Sequence, residues 1–200
     1  MKKLLLTLAL LAGPASVYGF KQEHVDRLLQ TNKCPYCDLT GAILKKGADL
    51  NGATLTGALL NGADFTGAIL KGADLSDANL SDAILPEAIL EGAILYSANL
   101  EGADLKGATL TWARLEGAIL WGADLTGAIL RGADLRRATL IGADLSGATF
   151  DANTNFNDAV LKGTKISKTA LKADTTKDAH GKTLYGRLSF KQLSDYKNID

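Results

Sequence analysis

The two cysteines of this 200-residue chain stand three apart, in Cys34-Pro35-Tyr36-Cys37, and form its sharpest chemical motif. Two thiols at that spacing suit three chemistries. A thiolate with a lowered pKa runs thiol–disulfide exchange. Two thiolates supply half of the four ligands a structural metal needs. An oxidised pair closes a small structural disulfide in an oxidising compartment. Cys37 leads straight into the segment CDLTG, the first unit of the repeat that fills the chain, which favours the disulfide over redox chemistry and over a metal or intermolecular bridge. His24 and His180, the two histidines, are distant in sequence and read as surface residues, so no metal and no cofactor is expected. There is no Ser, His and Asp set and no phosphate-cradling glycine loop. No catalytic residue is assigned, and an enzyme is not expected. Asn79-Leu80-Ser81 matches a glycosylation acceptor, but the repeat itself generates that triplet.

A five-residue phrase must position these residues. From Leu50 to Phe150 every fifth residue is Leu, except Phe65 and Phe150, and the residue two before each is Ala. On a helix, five steps carry each Leu about 140° past the last, so no apolar stripe forms. Fourteen of these units also place Gly two residues after the Leu. At about 1 kcal/mol each, those glycines would cost a helix about 14 kcal/mol, a whole domain's stability. A continuous strand fails because five is odd and successive leucines would face opposite sides. A short extended piece followed by a turn fits: Ala in, the next residue out, Leu in, then a corner at which Gly accepts positive φ. A single unit cannot bury its Leu, so units must stack into a solenoid. The array breaks register twice. Leu39 and Leu44 precede an extra residue at Lys46, and Phe156, Leu161, Ile166 and Leu171 follow another after Phe150.

The phrase Ala, then Asp, Asn or Thr, then Leu, any residue and Gly resembles the pentapeptide repeat family over about two thirds of the chain. The resemblance implies an all-β fold, a right-handed quadrilateral parallel β-helix with one repeat per side and four repeats per coil. The repeats then make about seven coils, a rod of about 33 Å at roughly 4.8 Å per stacked strand. Cys34–Cys37 is also similar, locally, to the redox centre of glutaredoxins, whose chemistry needs the first Cys at a helix start in a βαβ unit.

With twenty residues per coil implied, the outward residue before each Leu stacks in four columns. Face one carries Asp64, Ile84, Asp104, Asp124 and Asp144. Face two carries Asp49, Ile69, Ile89, Thr109, Ile129 and Thr149, and face three Thr54, Asp74, Ile94, Arg114 and Asp134. Face four carries Leu59, Asn79, Asn99, Ile119 and Thr139. Asp64, Asp104, Asp124 and Asp144 are the candidate interaction face, with Lys106 the one compensating charge on it. Like charges about 5 Å apart in water repel by about 0.8 kcal/mol per pair, which a cation or a basic surface would relieve. Solvation or bonding to nearby backbone is the plainer account. Ile119, Trp121 and Ile141 on face four are the candidate apolar contact. Trp112 stands at a corner usually given to Gly.

The chain divides into a signal peptide at 1–19, a helix or cap with the Cys motif at 20–36, the repeat β-helix at 37–173, and a C-terminal cap or tail at 174–200. Lys2 and Lys3 precede the apolar run Leu4–Ala12 and then small residues, the pattern of a secretory signal. That run is too short to span a bilayer, which takes about 20 residues. Phe20–Gln30 reads as a helix with Val25, Leu28 and Leu29 on one face, laid over the first coil to cover its open end. Residues 184–196 carry enough apolar side chains for a cap at the other end. Lys and Arg total 22, as do Asp and Glu, so the formal net charge is zero.

These features point to a non-catalytic exported scaffold in the periplasm or an equivalent space. Its partner would be a protein or a second copy, a homodimer being possible, with no nucleic acid and no membrane span. Two alternatives remain open. Some pentapeptide repeat proteins are DNA mimics that bind DNA gyrase and protect it from quinolones, which the acidic middle suits and the signal peptide opposes. The other is thiol redox chemistry at Cys34 and Cys37.

Overall fold

Each five-residue unit makes one parallel β-bridge and one turn, and four such units complete a circuit. In the computed structural model the described residues are 20–44 and 46–166, with the backbone of 175–177 and 183–185. Bridges join residues twenty apart through the array, as in Asp49↔Ile69, Thr54↔Asp74, Leu59↔Asn79 and Asp64↔Ile84. Leu50 N–H donates to Ile69 O at 2.8 Å and Ile69 N–H to Ala48 O at 2.9 Å, and this pair of bonds recurs from coil to coil. The result is a four-sided parallel β-solenoid. Its sides are mostly single bridges rather than strands because only three residues per unit are extended before the chain turns. Among the described residues, two-residue strands form only where β1 (Asp144–Leu145) pairs in parallel with β2 (Lys165–Ile166). Beyond the solenoid, β3 (Thr175–Lys177) pairs antiparallel with β4 (Thr183–Tyr185). Residues 1–19, where a signal peptide is expected, Leu171, His180 and residues 186–196 of the tail lie outside the described residues.

The turns explain the glycines. Ala53 N–H donates to Leu50 O at 3.0 Å, closing a four-residue turn whose third residue, Gly52, has φ +62°. Third-position residues in such turns need positive φ, which Gly adopts without a Cβ penalty. Eight units put another residue there, Tyr36, Asp77, Asp82, Glu87, Ser97, Trp112, Arg137 and Asp158, and all eight keep φ between 53° and 59°.

The interior is a stack of Ala and Leu, with Phe65, Phe150 and Phe156 among them, all buried. Phe150 and Phe156 meet edge to face at 5.7 Å, beside the second register break. Neither break interrupts the coil. Bridges across them simply span twenty-one residues, as in Lys33↔Thr54 and Asp134↔Asn155, so the extra residue is taken up in a corner. At the second break Asp151 Oδ1 accepts from Gly132 N–H at 2.9 Å, where a backbone carbonyl serves other coils. Buried Thr154 stands in an Ala position, donates its hydroxyl to Leu130 O at 2.9 Å and accepts from Asp151 N–H at 3.0 Å.

The first coil starts earlier than the repeat pattern indicates. Cys34 N–H donates to Thr54 O and Cys37 N–H to Cys34 O, so the two cysteines occupy a Leu and an Ala position and Pro35-Tyr36 is their corner. The helix α1 (Gln22–Thr31) packs Val25 and Leu28 into the same core as Cys34 and Leu39. Leu29, expected on that face, is exposed instead. One step of 100° carries it past the narrow seam that Val25 and Leu28 share.

Candidate interaction faces

Cys34 and Cys37 are joined by a disulfide with Cα atoms 5.3 Å apart. Both side chains are sealed in the core, at 0% and 1% exposure. Around them Cys34 Sγ lies 3.2 Å from His24 O, Arg27 Nη1 lies 3.9 Å from Cys37 Sγ, and the His24 ring meets Asp38 N–H at 2.9 Å. His24 is therefore mostly buried rather than a surface residue, because its ring pins α1 to the first coil. Thiol–disulfide exchange needs an attacking thiolate to reach a sulfur. This pair offers no such approach, and the redox alternative is set aside.

The acidic column on face one is real as geometry, with Asp64, Ile84, Asp104, Asp124, Asp144 and Lys165 bridged in sequence. Its chemistry is more structural than its spacing suggests. Each Asp Oδ1 accepts the N–H two residues on, at 2.9 Å from Thr66, 3.1 Å from Lys106, 3.0 Å from Thr126 and 2.9 Å from Ser146. That N–H begins the corner and has no partner in the ladder, so a short polar side chain supplies one. The same bond recurs at Asp74, Asn79, Asn99 and Asp134 on other faces.

Compensation on face one is also greater than Lys106 alone. Lys106 Nζ lies 3.6 Å from Asp104 and 3.0 Å from Asp124, while Lys165 Nζ lies 3.1 Å from Asp144. Lys165 belongs to the degenerate last block, and only the twenty-one-residue offset brings it into this column. The Ser146 hydroxyl and then, against some desolvation, its N–H and Lys165 hold the Asp144 carboxyl below its ordinary value. At Asp124 desolvation pushes up, but Thr126 and Lys106 together outweigh it and the net shift is down. Lys106 is raised, chiefly by its bond to Asp124 and then by the charge of Asp104.

Ile119, Trp121 and Ile141 are all exposed on face four, Trp121 at 47%. Ile119 bridges to Thr139, and Val160 continues the column with its side chain exposed. Trp121 and Ile141 occupy equivalent positions one coil apart, just before the corners at Gly122 and Gly142. Sequence reasoning left Val160 out because it lies past the register break.

Around the corner, face three gathers charges that the column lists separate. Arg136 Nη2 bonds Asp134 at 2.7 Å and Glu116 at 2.8 Å, and Arg137 approaches Glu116 at 4.0 Å. Trp112 holds φ +58° and is 57% exposed, its ring leaning over the backbone of Gly132 in the next coil. Among the described residues no group of His, Cys, Asp and Glu is arranged to hold a metal, and no helix is long and apolar enough to cross a membrane.

The family model for pentapeptide repeats matches eight copies, over residues 46–82, 73–111 and 109–147. No curated protein matches the chain. Among solved structures it is similar to the pentapeptide repeat protein Rfr23 of the cyanobacterium Cyanothece 51142, at 30% identity over 68% of this chain and 98% of that one, with a TM-score of 0.48. It is also similar to HetL, a pentapeptide repeat protein involved in heterocyst differentiation regulation in the cyanobacterium Nostoc sp. strain PCC 7120, at 33% identity over 76% of each chain, with a TM-score of 0.39. A third similarity is to QnrB1, a plasmid-mediated fluoroquinolone resistance protein, at 22% identity over 81% of this chain and 91% of that one, with a TM-score of 0.34. With its repeat unit matched across more than half of its length and those repeats stacked into a four-sided parallel coil, the chain belongs to the pentapeptide repeat family.

Proposed function

We propose that this protein is a non-catalytic, exported scaffold that binds a protein partner, or a second copy of itself, through the outside of a right-handed β-helical rod. The observation that carries this reading is the joint exposure of Ile119, Trp121 and Ile141 on one flat face. Burying them against a partner removes apolar surface from water at about 25 cal/mol per Å². The interior offers no competing role, being filled by Ala and Leu side chains. Export is supported by Lys2, Lys3 and the apolar run Leu4–Ala12, and a sealed Cys34–Cys37 disulfide suits the oxidising space to which that signal leads. The test combines fractionation with co-purification. Full-length chain, expressed with a reporter fusion, is expected in the periplasmic or equivalent fraction. There it retains a partner or a dimer mass that the Ile119→Asp/Trp121→Ala variant loses. A cytosolic reporter overturns export, and an unchanged partner set and mass in the variant overturn the role of face four.

A gyrase-binding DNA mimic is the second reading. From Asp49 to Asp151 there are fourteen acidic and six basic residues, which supports it. The export signal opposes it, as does the pairing of Asp104, Asp124 and Asp144 with two lysines. Failure of the purified chain to bind gyrase ends that reading.

A further inference from the structure

Both tryptophans of the chain and four of its six arginines lie between Trp112 and Arg137. The coil returns to face three within this stretch, so that Trp112, Arg114, Arg131, Arg136 and Arg137 gather on that face and its two corners in two successive coils. Arg114 bridges to Asp134 on face three, Trp112 N–H donates to Arg131 O, and Gly117 N–H donates to Arg136 O. Trp121 follows on face four, beyond the corner where Arg137 stands. Arg114, Arg131 and Arg137 are exposed. Arg136 is held by Asp134 and Glu116, whereas Arg114 and Arg131 make no ion pair among the described residues. Four guanidinium groups against two carboxylates leave a cationic island on a rod whose array is otherwise acidic.

Trp112 is the second, independent sign. It occupies a corner where fourteen repeats have Gly, keeps the positive φ of that corner, and leaves more than half of its surface in water. A Cβ at Gly132 would lie 2.6 Å from Trp112 Cδ2 and Cζ3, so the next coil seats the ring only because residue 132 lacks a side chain. An indole that packs one face over a glycine and leaves more than half of its surface in water is open to a partner. Trp and Arg are also the side chains that dominate the energetics of protein interfaces.

We infer that Trp112 and the four arginines, on face three and its two corners, form one docking surface for an acidic protein segment that also carries apolar side chains. This rests on the protein-binding reading above and extends it to a partner chemistry. Arginine forks match carboxylates in paired hydrogen bonds, and the Trp112 indole receives an apolar group between them. The island spans two coils, about 5 Å apart. Glu91 and Glu101 lie on one side of it and Asp151 on the other, so a regular polyanion such as DNA or an acidic polysaccharide would run onto like charge.

The test uses the full mature chain with its disulfide intact, and its native Trp fluorescence, since the Trp112 indole lies in the surface. The probe is a short peptide of alternating Glu and Leu. Heparin, duplex DNA and phosphatidylglycerol vesicles are run beside it. The peptide is expected to give a saturable blue shift that weakens at about 0.5 M salt. Its binding falls by about tenfold or more in Arg114→Ala/Arg131→Ala and is unchanged in Asp104→Asn/Asp124→Asn. Absence of saturable peptide binding overturns the proposal, as does tighter binding of any polyanion with the same arginine dependence. Peptide binding that ignores the arginines but is lost in Ile119→Asp overturns this surface while leaving the protein-binding reading intact.

Discussion

Gly132 and Gly142 share φ +67° but differ in what stands over them, and the pair isolates the Trp112 contact. An added Cβ at Gly142 meets nothing within 4 Å. Gly142→Ala is therefore expected to lose only the cost of holding Ala in the left-handed region, about 1 kcal/mol. At Gly132 the same Cβ collides with the Trp112 ring. The ring must swing off the next coil, uncovering on the order of 40 Å² at about 25 cal/mol per Å², or about 1 kcal/mol more. Gly132→Ala is thus expected to cost about 2 kcal/mol. In a Trp112→Gly background the excess should vanish, giving a coupling of about 1 kcal/mol in a double-mutant cycle. Trp112→Gly alone should be nearly neutral, because relief of its own positive φ offsets the lost ring contact. The assay is urea unfolding followed by circular dichroism on the oxidised chain. Equal losses for Gly132→Ala and Gly142→Ala, within about 0.3 kcal/mol, would show that the ring moves aside freely and would refute the seat assigned to it.

Asp74, Asp124, Asp134, Asp144 and Asp151 all titrate below the ordinary aspartate value. At Asp151 desolvation pushes up, but the N–H groups of Gly132 and Asn153, with Thr154, bring the net shift down. Carboxyls that titrate lower folded than unfolded stabilise fully above about pH 3.9 and lose that stabilisation as pH falls through the folded values. The melting temperature should therefore hold flat through neutral pH and drop steeply in acid; a flat acid limb would count against these bonds. Replacing Cys34 and Cys37 with Ala should cost about 1–2 kcal/mol, less than a long-loop disulfide, because only a tiny loop is released. Reductant added to the native protein should leave the disulfide intact, as read by thiol titration, since both sulfurs are buried. Thr154→Val keeps side-chain volume but leaves Asp151 N–H without its hydroxyl acceptor, for an expected loss of about 1–2 kcal/mol in chemical denaturation.

Much of the candidate site was legible because columns follow from arithmetic. Asp104, Asp124 and Asp144 stack as their spacing of twenty indicates, and Ile119 with Trp121 emerges on face four. What arithmetic missed lies at the breaks in register. Lys165 reaches Asp144, and Val160 joins face four, only because pairing continues across an inserted residue with an offset of twenty-one. The first coil likewise begins at Lys33 rather than at Cys37, since Cys34 carries no signal of filling a Leu position.

The period of five, its Ala and Leu pair and its glycines leave the chain one way to hide its leucines and relax its turns, so the stacked coil follows from the residues alone. The roles of the outward residues do not. Whether an Asp is a free charge or a turn acceptor depends on an N–H two residues away, and whether it is neutralised depends on a lysine up to twenty-one residues along the chain. The seat of Trp112 over Gly132 and the meeting of Arg136 with Glu116 are contacts between coils, set by the rise from one coil to the next. A repeat short enough to define its own turn says nothing of its neighbour's side chains, and it is there that the surface takes its character.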